Sequence, residues 1–389
     1  MHKQPWTALG LLILTASLAS CSIGSIDPPG GDPDFTLTAQ PDALSIAPGQ
    51  SGTTSVRIAR PSRPGGTVNL TLEGSMAGAT ADTISGVFGA QSSGASSLKL
   101  TVGTNVPAGT YPLSVRGTNG AITKTIGVQV KVEKWLLVDA DRSANNWAVT
   151  ADHRPDPNVP ASELDVLMKS ALDGKGFDVY AVKNADMSNT AAIAGPSADV
   201  LKRYSGVVWY TGDQSYQHPI VSDLDNIRAY LDEGGRKMIL LSPALVLNLP
   251  GAANVFQTTE DQPNDDASLQ KHKAFLRDLF GAGGYNGAYA RDAYTATPLP
   301  GKAQQVGALS ITGGQSQRAA FSPQQGELIT GLYTAPVQNT RNEVSTGTVV
   351  IGRSGLGAHH NASAVFSGIS PDVIASANKL DFLRLLLQD

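Results

Sequence analysis

Cysteine is almost missing from this sequence: Cys21 is the only one in 389 residues. One thiol forms no internal disulfide, and it supplies no Cys set for a zinc site. Charge is scarce too, at 16% of residues with a net formal charge of −4. No cluster of Lys and Arg runs along any segment, so the electrostatic footprint of a nucleic-acid binder is absent. The six histidines include no His-Glu-x-x-His or comparable ligand spacing. Long apolar runs are lacking as well. The run Ala8 to Leu14 falls short of the roughly 20 residues a membrane-spanning helix needs, and no later run reaches that length. What is abundant is glycine (41) and proline (23), a turn-rich globular composition whose length suggests two or three domains.

The first twenty residues have a pattern of their own. His2 and Lys3 give a short polar start, the apolar run follows, and small residues lead to Leu18-Ala19-Ser20-Cys21. The run has the length of a signal-peptide core. Leu-Ala-Ser-Cys resembles the bacterial lipobox. That resemblance implies cleavage of residues 1–20, acylation of Cys21 with palmitate-type chains, and a membrane anchor on the exported side of the cell envelope. Several chains on one Cys anchor stably, where a single chain holds weakly. Ser22, rather than Asp, implies no retention at the inner membrane in proteobacteria-like envelopes; inner versus outer membrane stays open. Residues 21–34, with Pro28-Pro29 and Gly30-Gly31, read as the lipidated Cys and a flexible tether.

Residues 35–133 alternate with period 2 in short runs, such as Val68-Asn69-Leu70-Thr71-Leu72 and Leu98 to Val102. Turn signals separate them at Ala47-Pro48-Gly49, Pro64-Gly65-Gly66, Pro107-Ala108-Gly109 and Asn119-Gly120. About seven strands at such spacing predict a β-sandwich, and Tyr111 stands where a tyrosine corner would close it. The segment is similar to bacterial Ig-like modules, which implies a spacer or docking role and no chemistry.

Beyond residue 134 apolar runs alternate with helical patterns. Strands are expected at 134–139, 177–182, 206–212, 237–242 and 364–368, with helices opening at Ser162 and Ser197, around Leu224 to Leu231, and at the C-terminus. This alternation predicts a parallel sheet covered on both faces. The segments "LLVDAD", "LKRYSGVVWYTGD", "LDNIRAYLDEGGRKMILLSP" and "AVFSGISPDVI" resemble the class I glutamine amidotransferase-like fold, a flavodoxin-like parallel α/β sheet, over 134–389 with an insertion-rich middle around 285–345. On that resemblance the catalytic Cys position falls at or near Ser242, and the His-Pro-Glu position falls on Ser370-Pro371-Asp372. The Cys is absent and the His is replaced by Ser, so the domain reads as degenerate.

Two residue sets carry chemistry. Asp139, Asp141, Asp213 and Asp372 follow strand ends, where an α/β sheet builds its ligand crevice. Converging, they would suit Ca²⁺ or Mg²⁺, or acid/base work on a glycan; apart, each caps a helix or its own turn. Ser242 needs a base, and His218 or His360 would have to supply it; of the adjacent pair His359-His360 only one can reach the crevice. The acidic stretch Glu260 to Asp266 reads as a surface loop, a lid or a metal loop. Among the aromatics Trp147, Trp209, Tyr210, Tyr216, Tyr285 and Tyr289, those in loops would fit sugar or peptide, whereas Trp209 belongs to a core strand. No resident cofactor is expected. The leading expectation is a non-catalytic envelope lipoprotein that binds a glycan or protein partner. The alternative is an envelope hydrolase acting on peptide or glycan bonds through strand-end carboxylates.

Overall fold

The computed structural model describes residues 34–60, 67–76, 78–81, 93–184, 193–212, 219–246, 249, 256–290, 293–312, 316–326, 328–338 and 343–388. The expected signal segment, Cys21 and nearly all of the tether lie outside them. The molecule is β-rich, with large sheets and few helices.

The first eight strands are β1 (Thr36–Gln40), β2 (Ala43–Ile46), β3 (Ser51–Ala59), β4 (Asn69–Glu73), β5 (Ala79–Ala81), β6 (Ser93–Val102), β7 (Gly109–Asn119) and β8 (Ile122–Val132). They make two four-stranded sheets, ordered β1-β3-β6-β5 and β2-β8-β7-β4. Alternation explains why they face each other. Val56 and Ile58 from one sheet, and Val115, Val128 and Val130 from the other, enter a single shared core. Burying each such side chain contributes roughly 1.5–3 kcal/mol. Gly120, at φ +56°, supplies the left-handed residue of the tight β7–β8 hairpin. The Tyr111 hydroxyl donates to the Pro107 carbonyl at 2.9 Å, tying the start of β7 to the loop before it.

One residue, Glu133, separates β8 from the next strand. The remaining elements are β9 (Lys134–Asp139), α1 (Glu163–Ala171), β10 (Gly176–Ala181), α2 (Ala198–Leu201), β11 (Gly206–Tyr210), α3 (Val221–Asp232), β12 (Lys237–Leu241), β13 (Gln257–Thr258), α4 (Ala267–Phe280), β14 (Ala282–Ala290), β15 (Tyr294–Pro298), α5 (Ala303–Val306), β16 (Leu309–Ile311), β17 (Ser316–Pro323), β18 (Ile329–Gln338), β19 (Val344–Leu356), β20 (Ala362–Ser367) and α6 (Lys379–Leu386). They form one 12-stranded mixed sheet. Its β10-β9-β11-β12-β20 part is parallel throughout. α2, α3 and α4 pack on one face through Leu201, Ile227, Tyr230 and Phe275. α1 and α6 pack on the other through Leu164, Met168, Phe382 and Leu386.

The other half departs from the expected all-parallel sheet. β19 joins β20 antiparallel, and β17, β14 and β13 extend the sheet outward, with β15, β16 and β18 attached. The described residues of 285–345, expected as an insertion-rich middle, are mostly strand. Their sequences are rich in Gly, Ala, Ser and Thr, as in β14 (AGGYNGAYA). They lack the apolar run that marks a buried parallel strand.

The two-sheet unit abuts the amino-terminal edge of the parallel strands. A Cβ placed on Gly176, at the start of β10, would lie 2.8 Å from Pro48 Cδ. A cleft of about 600 Å³ between the units is lined by Gly109, Lys131 and Glu133 on one side and Glu233, Arg236 and Lys237 on the other. The chain enters the two-sheet unit at its far end: Thr36 pairs with Ala59, while Ser51, at the opposite end of β3, follows the Pro48 turn.

Candidate functional site

Parallel register places Asp139, the last residue of β9, between Ala181 of β10 and Tyr210 of β11. The chain then leaves the sheet through Ala140 and folds a long loop back over it before α1 begins. Three carboxylates converge in that fold: Asp139, Asp141 and Asp165 each offer an oxygen, and these oxygens lie within 4.8 Å of one another. Asp139 is 1% exposed and Asp165 fully buried.

Each carboxylate has a different set of donors. Asp165 Oδ1 accepts from the Tyr210 hydroxyl at 2.6 Å, and its Oδ2 accepts from Asn145 Nδ2 at 2.8 Å and the Ser162 amide at 3.0 Å. Asp141 accepts from the Ser143 amide at 2.8 Å and the Ser162 hydroxyl at 2.9 Å. Asp139 Oδ1 accepts from Asn146 Nδ2 at 2.8 Å. Its other oxygen, Oδ2, is buried and accepts no hydrogen bond, and neither does Oδ1 of Asn146; with a proton on Asp139 a bond to the Asp141 side chain forms. Such orphans inside a protein are costly unless something unseen satisfies them. Burial, and then the charges of Asp141 and Asp165, push the Asp139 carboxyl well above the usual carboxylate range. Burial and the same carboxylates push the Tyr210 hydroxyl far up as well, so it stays a donor.

Three oxygens from carboxylates, with an amide oxygen beside them, form the donor set of a hard cation such as Ca²⁺ or Mg²⁺. The structural role is equally visible. Ser162 and Asp165 make a reciprocal capping box at the start of α1, and Asp141 closes its own turn onto Ser143. The capping and turn bonds leave Asp139 Oδ2 unused. Around the cluster the loop presents Trp147, 46% exposed, directly after buried Asn146. His153 stacks on Tyr180 with ring centroids 4.1 Å apart.

Of the four strand-end acids read from the sequence, Asp139 and Asp141 come together. Asp372 is exposed in a short 3-10 turn, where it accepts from the Ser370 hydroxyl, and it is not part of the cluster. Asp213 and His218 lie outside the described residues, as does Tyr216. Asp165 takes the place that sequence reasoning left unfilled. The Ser162-x-x-Asp165 spacing marks a helix start, and that signal concealed its second partner.

The serine site receives no comparable support. Ser242, at the carboxyl end of β12, is fully buried. His360, considered as its base, lies instead before β20, next to His359, which packs against Gly234 at the amino-terminal edge of the sheet. The length of β12, about 16 Å at the usual rise, separates that edge from Ser242. The tight turn from β19 into β20 imposes this, since β20 must start at the edge where β12 starts. The acidic stretch 260–266 uses two of its carboxylates structurally. Asp265 pairs with buried Lys273 at 2.6 Å, and Asp266 caps α4 by accepting from the Leu269 amide at 2.8 Å. Trp209 and Tyr285 are core residues.

No family model matches the chain. No curated protein matches it. Among solved structures, domains 4 and 5 of the S-layer protein SbsC are 25% identical over 26% of this chain and 53% of that one, with a TM-score of 0.20. This chain thus spans about half of that structure's length. A family 123 glycoside hydrolase from Clostridium perfringens is 9% identical over 48% of this chain and 39% of that one, with a TM-score of 0.22. At these TM-scores neither likeness bears on fold or function.

Proposed function

We propose that this chain is an exported lipoprotein, cut before Cys21 and acylated there, that binds a glycan or an envelope protein without turning it over. Its first unit is an Ig-like spacer. Its second is a degenerate amidotransferase-like α/β domain with an antiparallel extension. The parallel strand order β10-β9-β11-β12-β20 supports this, because in chain order it is the 2-1-3-4-5 arrangement of flavodoxin-like sheets. Ligands of such sheets bind outside the carboxyl ends at the switch point, here between β9 and β11, where Asp139 ends its strand.

One observation carries the binding role: the buried Asp139 Oδ2, which accepts no hydrogen bond, within a triad of carboxylates. A Ca²⁺ or Mg²⁺ ion held by Asp139, Asp141 and Asp165 satisfies that oxygen and offsets the repulsion among the three acids. It also fixes the loop that presents Trp147, a flat apolar surface suited to a sugar ring. Ser242 and Ser370, standing where the amidotransferase Cys and His would be, support binding without turnover.

Millimolar CaCl₂ or MgCl₂ is expected to raise the Tm of the purified protein by several degrees, because a ligand at 100 times its Kd adds about 2.7 kcal/mol. Asp139→Asn removes that response. Glycan arrays and peptidoglycan pull-downs then report retention that depends on the cation and on Trp147, with no product released. An unchanged Tm with both ions sinks the cation site, and retention by Trp147→Ala sinks the glycan surface.

The hydrolase reading draws on one observation. Burial and the neighbouring carboxylates raise the Asp139 carboxyl above its ordinary range beside a second carboxylate, the kind of separation that acid/base catalysis uses. Product release abolished by Asp139→Asn and unaffected by Ser242→Ala would favour it over binding alone.

A further inference from the structure

The cleft between the two-sheet unit and the amino-terminal edge of the parallel strands belongs to a different part of the molecule from the aspartate cluster. Its volume of about 600 Å³ falls within the roughly 300–1,000 Å³ of ligand pockets, which form preferentially where two units of a chain meet. It is open to solvent: Thr110, Lys131, Glu233, His359 and Asn361 on its walls are all exposed.

Specific contacts hold the walls in place. On the side of the large sheet, Gly234 and Gly235 turn the chain from α3 toward β12 at φ +75° and +62°. A Cβ on Gly234 would lie 2.7 Å from Asn361 Oδ1 and 3.3 Å from His359 Cδ2, so this turn and the segment 359–361 close on each other. Asn361 Oδ1 accepts from the Gly235 amide, and the Arg236 carbonyl accepts from the Ser363 amide at 2.9 Å. Arg236 Nη1 donates to the Tyr204 carbonyl at 2.9 Å, which fixes the guanidinium at the wall. The Lys175 ammonium stands 5.5 Å from the centroid of the Trp135 ring. Across the cleft, Lys131 of β8 pairs with Glu133 at 2.8 Å.

The charge lining the cleft is one-sided. Four cations, Lys131, Lys175, Arg236 and Lys237, face two carboxylates, Glu133 and Glu233, an excess of two positive charges in a chain whose net charge is −4. Both carboxylates are already held by lysines, Glu133 by Lys131 and Glu233 by Lys202 at 3.0 Å. Among the described residues no carboxylate pairs with Lys175. Low-dielectric walls focus the field of such an excess into the cleft and draw in an anion. Thr110, Ser363 and Asn361 add hydroxyl and amide groups, and the two carboxylates keep lone pairs that accept from hydroxyls. Cations and polar groups of both kinds together suit a ligand with many hydroxyls and a negative charge. We propose that the cleft between the two units binds an acidic sugar. The site is independent of the aspartate cluster and does not rest on its function.

Thermal shifts and titration calorimetry of the full chain test this, with glucuronate, glucose 6-phosphate, glucose, inorganic phosphate and chloride compared at matched ionic strength. At least one acidic sugar is expected to raise the Tm by several degrees, with glucose and chloride giving no shift and phosphate a smaller one. The stronger of the two acidic sugars identifies the anionic group as carboxylate or phosphate ester. Lys131→Gln on one wall and Lys175→Gln on the other are each expected to weaken binding roughly tenfold, the loss of one hydrogen bond to a charged group. Both side chains lie at the surface, so neither variant should fail to fold. Asp139→Asn keeps the full response, which separates this site from the aspartate cluster. No shift with either acidic sugar, an equal shift with glucose, phosphate or chloride, or an unchanged affinity in either lysine variant would each overturn the proposal.

Discussion

Asp139 holds its proton more tightly in the folded chain than in the unfolded one, where a carboxyl titrates at about 3.8. Stability from that proton is full below the unfolded value and is lost as pH rises through the folded one. In EDTA, Tm is therefore expected to fall from mildly acidic toward neutral pH on this account. Asp139→Asn, which cannot charge, should flatten that decline and exceed the parent in Tm at neutral pH. A cation competes with the same proton, so the Ca²⁺-induced shift should grow as pH rises. A calorimetric series across pH, with and without Ca²⁺, checks both slopes; parallel curves for parent and variant would contradict them. Asp139 and Asp141 were legible in sequence because an apolar strand ending in acid points to the rim of an α/β sheet. Asn145, Asn146 and Asp165 were not. Their meeting depends on a loop folding back over β9, and no local periodicity encodes that return.

At the level of elements, α1 joins the capping of a helix to the geometry of the site. The Ser162 hydroxyl accepts from the Asp165 amide at 3.0 Å and donates to Asp141 at 2.9 Å, so one side chain holds both acids in register. Ser162→Ala is expected to cost about 1 kcal/mol through the lost cap. The variant should also weaken the Ca²⁺ response, because Asp141 loses a donor that orients it. Urea denaturation gives the first quantity and a Ca²⁺ titration of Tm the second. A variant that loses stability and keeps its full Ca²⁺ response would show the cap to be separate from the site. The helix itself was readable from Ser162 and the apolar positions at Leu164, Met168 and Ala171. The strands β14 to β19 were not, for a related reason. Their inward residues include Ala319, Ala320, Ala335 and Asn286, which give a weak apolar rhythm. Tertiary packing rather than pattern decides such strands.

Across the whole molecule, the direction of the strands sets where each function lies. The chain enters the two-sheet unit at the end away from the second unit, beside the Asp34–Lys124 ion pair at 3.0 Å. β8 then carries it eleven residues, about 36 Å at the usual rise, to the junction. The parallel strands start at that junction and end at the aspartate cluster. An anchor preceding residue 34 would thus leave the cluster on the pole turned from the membrane, which is what a spacer is for. The described cores draw on Phe35 and residues after it. Cys21→Ser should therefore move the protein from the membrane fraction to the soluble one while leaving the Tm and the Ca²⁺ response of the folded part unchanged. Metabolic labelling with palmitate should mark the parent and spare the variant. A variant still membrane-bound after a high-salt wash would mean that something other than the lipid holds it. Because the aspartate cluster lies at the end away from Asp34, loss of the cluster and loss of the proposed acylation at Cys21 are each expected to leave the other intact, and that separation is what the paired measurements read.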